Sequence, residues 1–239
     1  MATLKVLCTI AVRGAVSELL PSLERSIGHQ LDVVWGTAPM LVKRVEEGET
    51  ADVLIPSKAG IEALRQKGKI VPGSEVMLAS SSTAIAVKAG APKPDISTTE
   101  AFVQALRNAK GVAYTHPSAG GASGVYFAQL IERLGIADEI NAKAKHPPAG
   151  GFSAELLLTG DADIAIQQKP ELMHVAGAEV IGLFPPELNV VTVFVGALMT
   201  GTKHSEPAKA LLAKLREPDA VALFRAKGLE TPNAESARL

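Results

Sequence analysis

Eight short apolar runs divide this chain, and most are separated by stretches whose apolar residues recur at a helical period. The runs are Lys5 to Thr9, Leu31 to Trp35, Val53 to Pro56, Thr83 to Lys88, Gly111 to Thr115, Ile164 to Gln167, Glu179 to Leu183 and Thr192 to Met199. Helical spacing shows between them in Val16-Leu19-Leu20-Leu23, Leu41-Val45, Ile61-Leu64 and Phe102-Leu106. Strands that alternate with helices are joined by crossovers, and crossovers place helices over the faces of a mostly parallel sheet. An α/β fold is therefore expected.

Two breaks in the rhythm suggest how it is divided. Gly90-Ala91-Pro92-Lys93-Pro94-Asp95 follows the fourth run, and Phe184-Pro185-Pro186-Glu187 precedes the last. Together they predict a discontinuous first lobe of residues 1–83 and 195–239 and a second lobe of 84–194. The polar tail from Thr231 to Leu239 reads as frayed.

Charge narrows the range of partners. Over 239 residues the net charge is −1, which offers no attraction to nucleic acid. The single cysteine, Cys8, lies in the first apolar run and reads as a small buried hydrophobe; it rules out a disulfide within one chain. Met1 to Lys5 lead straight into the first strand without the pattern of a signal peptide, so a cytoplasmic protein is expected, or a periplasmic one if this is a trimmed mature end.

The chemistry concentrates at Pro117-Ser118-Ala119-Gly120-Gly121-Ala122-Ser123-Gly124, between a strand and the helix-like Val125 to Ile131. A strand that breaks into small residues and restarts as a helix leaves unpaired backbone N–H groups aimed at one spot, backed by the positive end of the helix dipole. That arrangement binds anions. The same glycines also occur where a helix must pack close to a sheet. Neither the dinucleotide nor the phosphate-loop spacing of glycines is present. His116, His146 and His174 lack metal-ligand spacing, though His116 leads directly into the glycine-rich loop.

Further segments carry a resemblance. Lys5 to Leu19, Gly36 to Gly48, Ala51-Asp52-Val53, the LRQKGKIVPG run of Leu64 to Gly73, Pro117 to Gly135, Leu158 to Ala165 and Pro218 to Gly228 resemble the periplasmic molybdate-binding proteins and their wider substrate-binding superfamily. The resemblance implies the type II periplasmic-binding-protein fold, in which two α/β lobes close on a ligand, and a monomer.

It also implies binding positions. The two serines that hold the oxyanion in that family fall on Ala11, beside Arg13, and on Thr37, next to Ala38. The small residue of the glycine-rich turn falls in the Ala122-Ser123 region beside Gly121, a backbone donor falls near Gly151 or Phe152, and the family's tyrosine falls on Gln167 or Gln168. The first serine and the tyrosine are thus absent, and Arg13 and two glutamines are present. A guanidinium presents a planar fork suited to a carboxylate, whereas a molybdate pocket surrounds a tetrahedron with neutral donors. A carboxylate-bearing organic acid fits this set better than molybdate. Each residue also has a plainer role: Arg13 as a solvated first-turn residue, Thr37 as an N-cap and the glutamines as turn residues.

Two functions are compatible with the resemblance. One is a solute-binding protein that captures a small anion and, if exported, hands it to a membrane permease. The other is an enzyme on the same scaffold, since some relatives of the molybdate-binding group are aconitate isomerases, whose reaction requires no metal or organic cofactor in principle. With no evident catalytic base, the binding protein stands first. Asp52, which precedes the third strand as in the superfamily, is assigned to structure.

Overall fold

The computed structural model describes residues 3–232. In chain order its elements are β1 (Thr3–Thr9), α1 (Arg13–Ile27), β2 (Gln30–Gly36), α2 (Ala38–Glu46), β3 (Val53–Ile55), α3 (Lys58–Gln66) and β4 (Val76–Lys88). They continue with α4 (Thr99–Asn108), β5 (Val112–Tyr114), α5 (Ala122–Arg133), α6 (Ala137–Asn141), β6 (Ala144–Lys145), α7 (Glu155–Leu158), β7 (Ile164–Gln168) and α8 (Lys169–Met173). Last come β8 (Ala178–Leu183), β9 (Val191–Leu198), α9 (Ser205–Lys214) and α10 (Pro218–Ala226). Of the tail expected to fray, residues 233–239 lie outside the described residues.

The chain divides into two compact units, Met1–Ser80 with Thr192–Leu239, and Ser81–Val191. The sequence reading set the crossings at 83/84 and 194/195. The first crossing falls inside β4, which runs unbroken from Val76 to Lys88, so no linker marks it and the Gly90 to Asp95 break lies beyond it.

In the first unit the strand order is β2-β1-β3-β9. β1 runs parallel to β2 and to β3, while β9 is antiparallel to β3. Alternation along β1 sorts its side chains between two cores. Leu4, Val6 and Cys8 pack with Val16 and Leu23 of α1, Leu211 of α9 and Phe224 of α10. Leu7 faces the other way, with Leu41 and Val45 of α2 and Ile61 and Leu64 of α3. Each such leucine, fully buried, contributes roughly 1.5–3 kcal/mol.

Asp52 ties the ends of these strands. Its carboxylate accepts the Lys5 backbone N–H at 2.9 Å and the Thr202 hydroxyl at 2.5 Å. Asp52→Ala is expected to lose about 2 kcal/mol in urea unfolding, because two half-buried donors lose a charged acceptor. A loss under about 0.5 kcal/mol would contradict the structural role.

The second unit has the order β8-β4-β7-β5-β6. β5 is parallel to β6 and β7, while β4 runs antiparallel to both β7 and β8, so this sheet is mixed. Its two faces differ in bulk. Ile85, Val112, Tyr114, Ile164 and Ile166 pack against Phe102, Phe127 and Phe184, with the Phe102 and Phe184 ring centroids 4.9 Å apart. The other face presents Ala84, Ala86, Ala113 and Ala165 to Phe152, Leu157 and Leu172.

Candidate functional site

Parallel strands end together, and in α/β sheets ligands gather at their carboxyl ends. In the first unit Thr9 of β1 pairs with Gly36 of β2, and Cys8 pairs with Ile55 of β3, so the segments that follow all leave one edge. Those segments carry Ala11 and Arg13, then Thr37 and Ala38, then Ser57.

Ala11 lies buried in a 3₁₀ turn of Ile10–Val12, where it offers backbone only. Arg13 opens α1, and its guanidinium carbon stands 5.7 Å from the centroid of the Trp35 ring. At that distance the contact is of the cation–π kind and draws the guanidinium toward the ring face. Among the described residues no acceptor engages it. Thr37 is the N-cap of α2, its hydroxyl oxygen accepting from the Met40 N–H at 3.4 Å, and Ala38 is the first residue of that helix. A cap and a bound anion would use the same helix end.

In the second unit β5 gives way to Thr115 and His116, a 3₁₀ turn of Pro117–Ala119, Gly120 at φ +70°, and α5 with Gly121 as its N-cap. The glycines here have a steric task. A Cβ on Gly121 would sit 2.9 Å from Thr115 Cγ2, and one on Gly124 would sit 2.0 Å from the Thr115 carbonyl oxygen. They let the first turn of α5 lie against the end of β5. That close approach leaves the start of α5, at Ala122 and Ser123, without a side-chain cap. Ser123, in this first turn, is 2% exposed.

Gly151 and Gln167 have other partners. The Gly151 N–H closes a turn on the Pro148 carbonyl at 2.9 Å. The Gln167 amide oxygen accepts from the Ser153 N–H at 2.8 Å and the Ser153 hydroxyl at 3.0 Å, while its nitrogen donates to the Gly151 carbonyl at 3.3 Å and to Glu171. The protein itself engages both the oxygen and the nitrogen of this amide. Gln167 is a clasp that holds the 151–153 turn on β7.

Gln168 begins α8 in a capping box with Glu171, donating its backbone N–H to that carboxyl at 3.1 Å. Glu171 is buried, and loss of solvent pushes its carboxyl up to about 8 against the opposing hydrogen bonds from Gln168 and Gln167. The sequence reading missed Ser153 and Glu171. The Gln168-x-x-Glu171 spacing with Pro170 inside it was the available signal.

A pair of histidines stands at the same strand ends. His116 follows β5, and His146 follows β6, whose Lys145 pairs with Ala113 of β5. Their rings meet edge to face, 4.7 Å between centroids, and His146 makes the same kind of contact with Tyr114 at 4.7 Å. The two are held differently. His116 Nδ1 accepts the Ser118 backbone N–H at 3.2 Å and lies 2.6 Å from the Ser118 hydroxyl, whereas His146 Nδ1 is 2.8 Å from the Tyr114 carbonyl oxygen. Among the described residues, no group of three or more His, Cys, Asp or Glu side chains is placed to hold a metal, and no helix is long and apolar enough to cross a membrane.

Two α/β units, each with helices that start at the carboxyl ends of its parallel strands, are the build of a periplasmic-binding-type protein. The chain belongs to the bacterial extracellular solute-binding protein family, which matches residues 4–230. Over 98% of its length it is 34% identical to a Pseudomonas protein named aconitate isomerase, of which it covers 89%. The fold matches the Azotobacter vinelandii periplasmic molybdate-binding protein at a TM-score of 0.77 and 20% identity, over 96% of this chain and 100% of that one. It also matches a sulfate-binding protein of Mycobacterium tuberculosis at a TM-score of 0.78 and 20% identity, over 99% of this chain and 89% of that one.

Proposed function

We propose that the protein takes up a small tricarboxylate of the aconitate class and interconverts its cis and trans forms. The reading is carried by the 34% identity, along nearly the whole chain, to a protein named aconitate isomerase. On the sequence alone the binding protein stood ahead for want of a base, and this relative reverses the order.

The local chemistry agrees with the substrate class. The Arg13 guanidinium, 5.7 Å from the centroid of the Trp35 ring, has a planar fork whose two-donor edge suits a planar carboxylate. Within each unit a helix N-terminus also suits a carboxylate oxygen, the first turn of α2 with Thr37 in the one and that of α5 with Ser123 in the other. Moving a double bond next to carboxylates requires that developing negative charge be stabilised where it forms, and these are the groups for it.

Thermal-shift measurements with aconitate isomers, molybdate and sulfate test the ligand, and proton NMR of the incubated mixture tests the conversion. Aconitate is expected to stabilise the protein and to interconvert. Arg13→Ala and Ser123→Ala are each expected to weaken aconitate binding about tenfold or more, the range of a hydrogen bond to a charged group. Binding without interconversion would leave a solute-binding protein that serves a permease. Stabilisation by molybdate or sulfate alone would defeat the carboxylate reading.

A further inference from the structure

Resting on the isomerase reading, we propose that His146 is the catalytic base that carries the proton between the two allylic carbons of the substrate, and that His116 is its hydrogen-bond-donating partner toward a substrate carboxylate. The juxtaposition behind this is two imidazoles in edge-to-face contact, set in opposite tautomers at the strand ends that also bear the α5 anion site.

Hydrogen bonds assign the tautomers. A carbonyl oxygen only accepts, so the 2.8 Å contact with Tyr114 requires the proton on His146 Nδ1. Nε2 of the neutral ring then carries a lone pair. At His116 the backbone N–H of Ser118 only donates, so Nδ1 is the acceptor and the proton resides on Nε2. One ring is prepared to take a proton and the other to donate a hydrogen bond. His116, singled out in sequence by its place before the loop, is in the wrong tautomer for a base.

Position supports the same division. Register brings Lys145 beside Ala113, so His146 flanks the end of β5, from which Thr115 leads to the glycine-rich turn and to Ser123. Both histidines are exposed, while Ser123 is buried in the first turn of α5.

The step balances without a co-reactant. His146 Nε2 removes a proton from the substrate methylene, and the C–H electron pair enters the adjacent double bond to give a carboxylate-stabilised allyl anion. The Nε2 proton is then returned to the opposite end of the allyl unit, where a new C–H bond forms as the double bond shifts by one carbon. Nothing is oxidised or reduced, and the imidazole ends neutral. Because the two ends exchange roles, cis and trans forms interconvert without hydration.

His146→Asn is the discriminating variant, since an asparagine amide can keep the bond to the Tyr114 carbonyl while Nε2 is removed. It is expected to lower kcat between about 10²- and 10⁴-fold, to change KM less than about threefold, and to abolish transfer of deuterium from a labelled substrate methylene to the opposite allylic carbon. His116→Asn is expected to raise KM and leave measurable transfer. A His146→Asn protein that keeps kcat within about threefold of wild type overturns the proposal. Failure of the isomerase reading is told apart beforehand, because the unmutated protein then shows no interconversion. Should the variant melt early, long-range proton–nitrogen spectra of the intact wild type decide: Nδ1-protonated His146 and Nε2-protonated His116 are expected, and an Nε2-protonated His146 refutes the assignment.

Discussion

Gly124→Ala is expected to destabilise the protein by about 3 kcal/mol or more in denaturant unfolding, out of proportion to the single methyl group it adds. The new Cβ would lie 2.0 Å from the Thr115 carbonyl oxygen and 2.9 Å from its carbon, both backbone atoms at the end of β5. Backbone cannot rotate aside as a side chain can, so either α5 lifts from the sheet or β5 is displaced. Gly135→Ala provides the control. Gly135 has φ +67° and nothing within 4 Å of a Cβ, so only backbone strain applies, about 1–2 kcal/mol. Equal losses for the two variants would mean that the contact with Thr115 yields easily.

The second large effect is one of pH. The Glu171 carboxyl is raised to about 8 by burial, and no charged group contributes to the shift. A carboxyl raised in the folded state favours folding while it stays protonated there. Its contribution is fully present below the pKa of the unfolded chain and is lost as pH rises through the folded value. Between these limits stability declines by roughly 1.4 kcal/mol per pH unit. Glu171→Gln keeps an acceptor for the Gln168 N–H and cannot ionise. The variant is therefore expected to gain about 3 kcal/mol on wild type between pH 5 and pH 7.5, read as the difference between two urea-unfolding series. Parallel series would show that Glu171 reaches water.

Much of the architecture was open to reading because it is local. Apolar runs of the right length appear as strands within a residue or two, from Thr3–Thr9 to Val191–Leu198. The exception is β4, whose first half runs through Ala79, Ser80, Ser81 and Ser82; these residues are buried, but they carry no alternation that marks a strand. β6 has two residues, too few for any period.

The candidate site divides in the same way. Thr37 and the glycine-rich turn could be found because caps and turns are written in adjacent residues. The hold of Gln167 on Ser153 could not be read, because the two lie 14 residues apart and nothing in either neighbourhood indicates the pairing. His146 showed no sign of a role for a similar reason. Its tautomer depends on a carbonyl 32 residues earlier, brought alongside by a strand pairing that the sequence did not reveal.

Cys8 is the chain's one cysteine and is fully buried beside Trp35 in the pairing of β1 with β2, where desolvation drives its thiol far above the ordinary range. Toward a maleimide or an iodoacetamide dye the native protein thus behaves as though it had no thiol at all. A cysteine placed at a chosen exposed position becomes the sole attachment point for a fluorophore, with the wild-type background left in place. Ligand-driven changes around either set of strand ends can then be followed optically in real time.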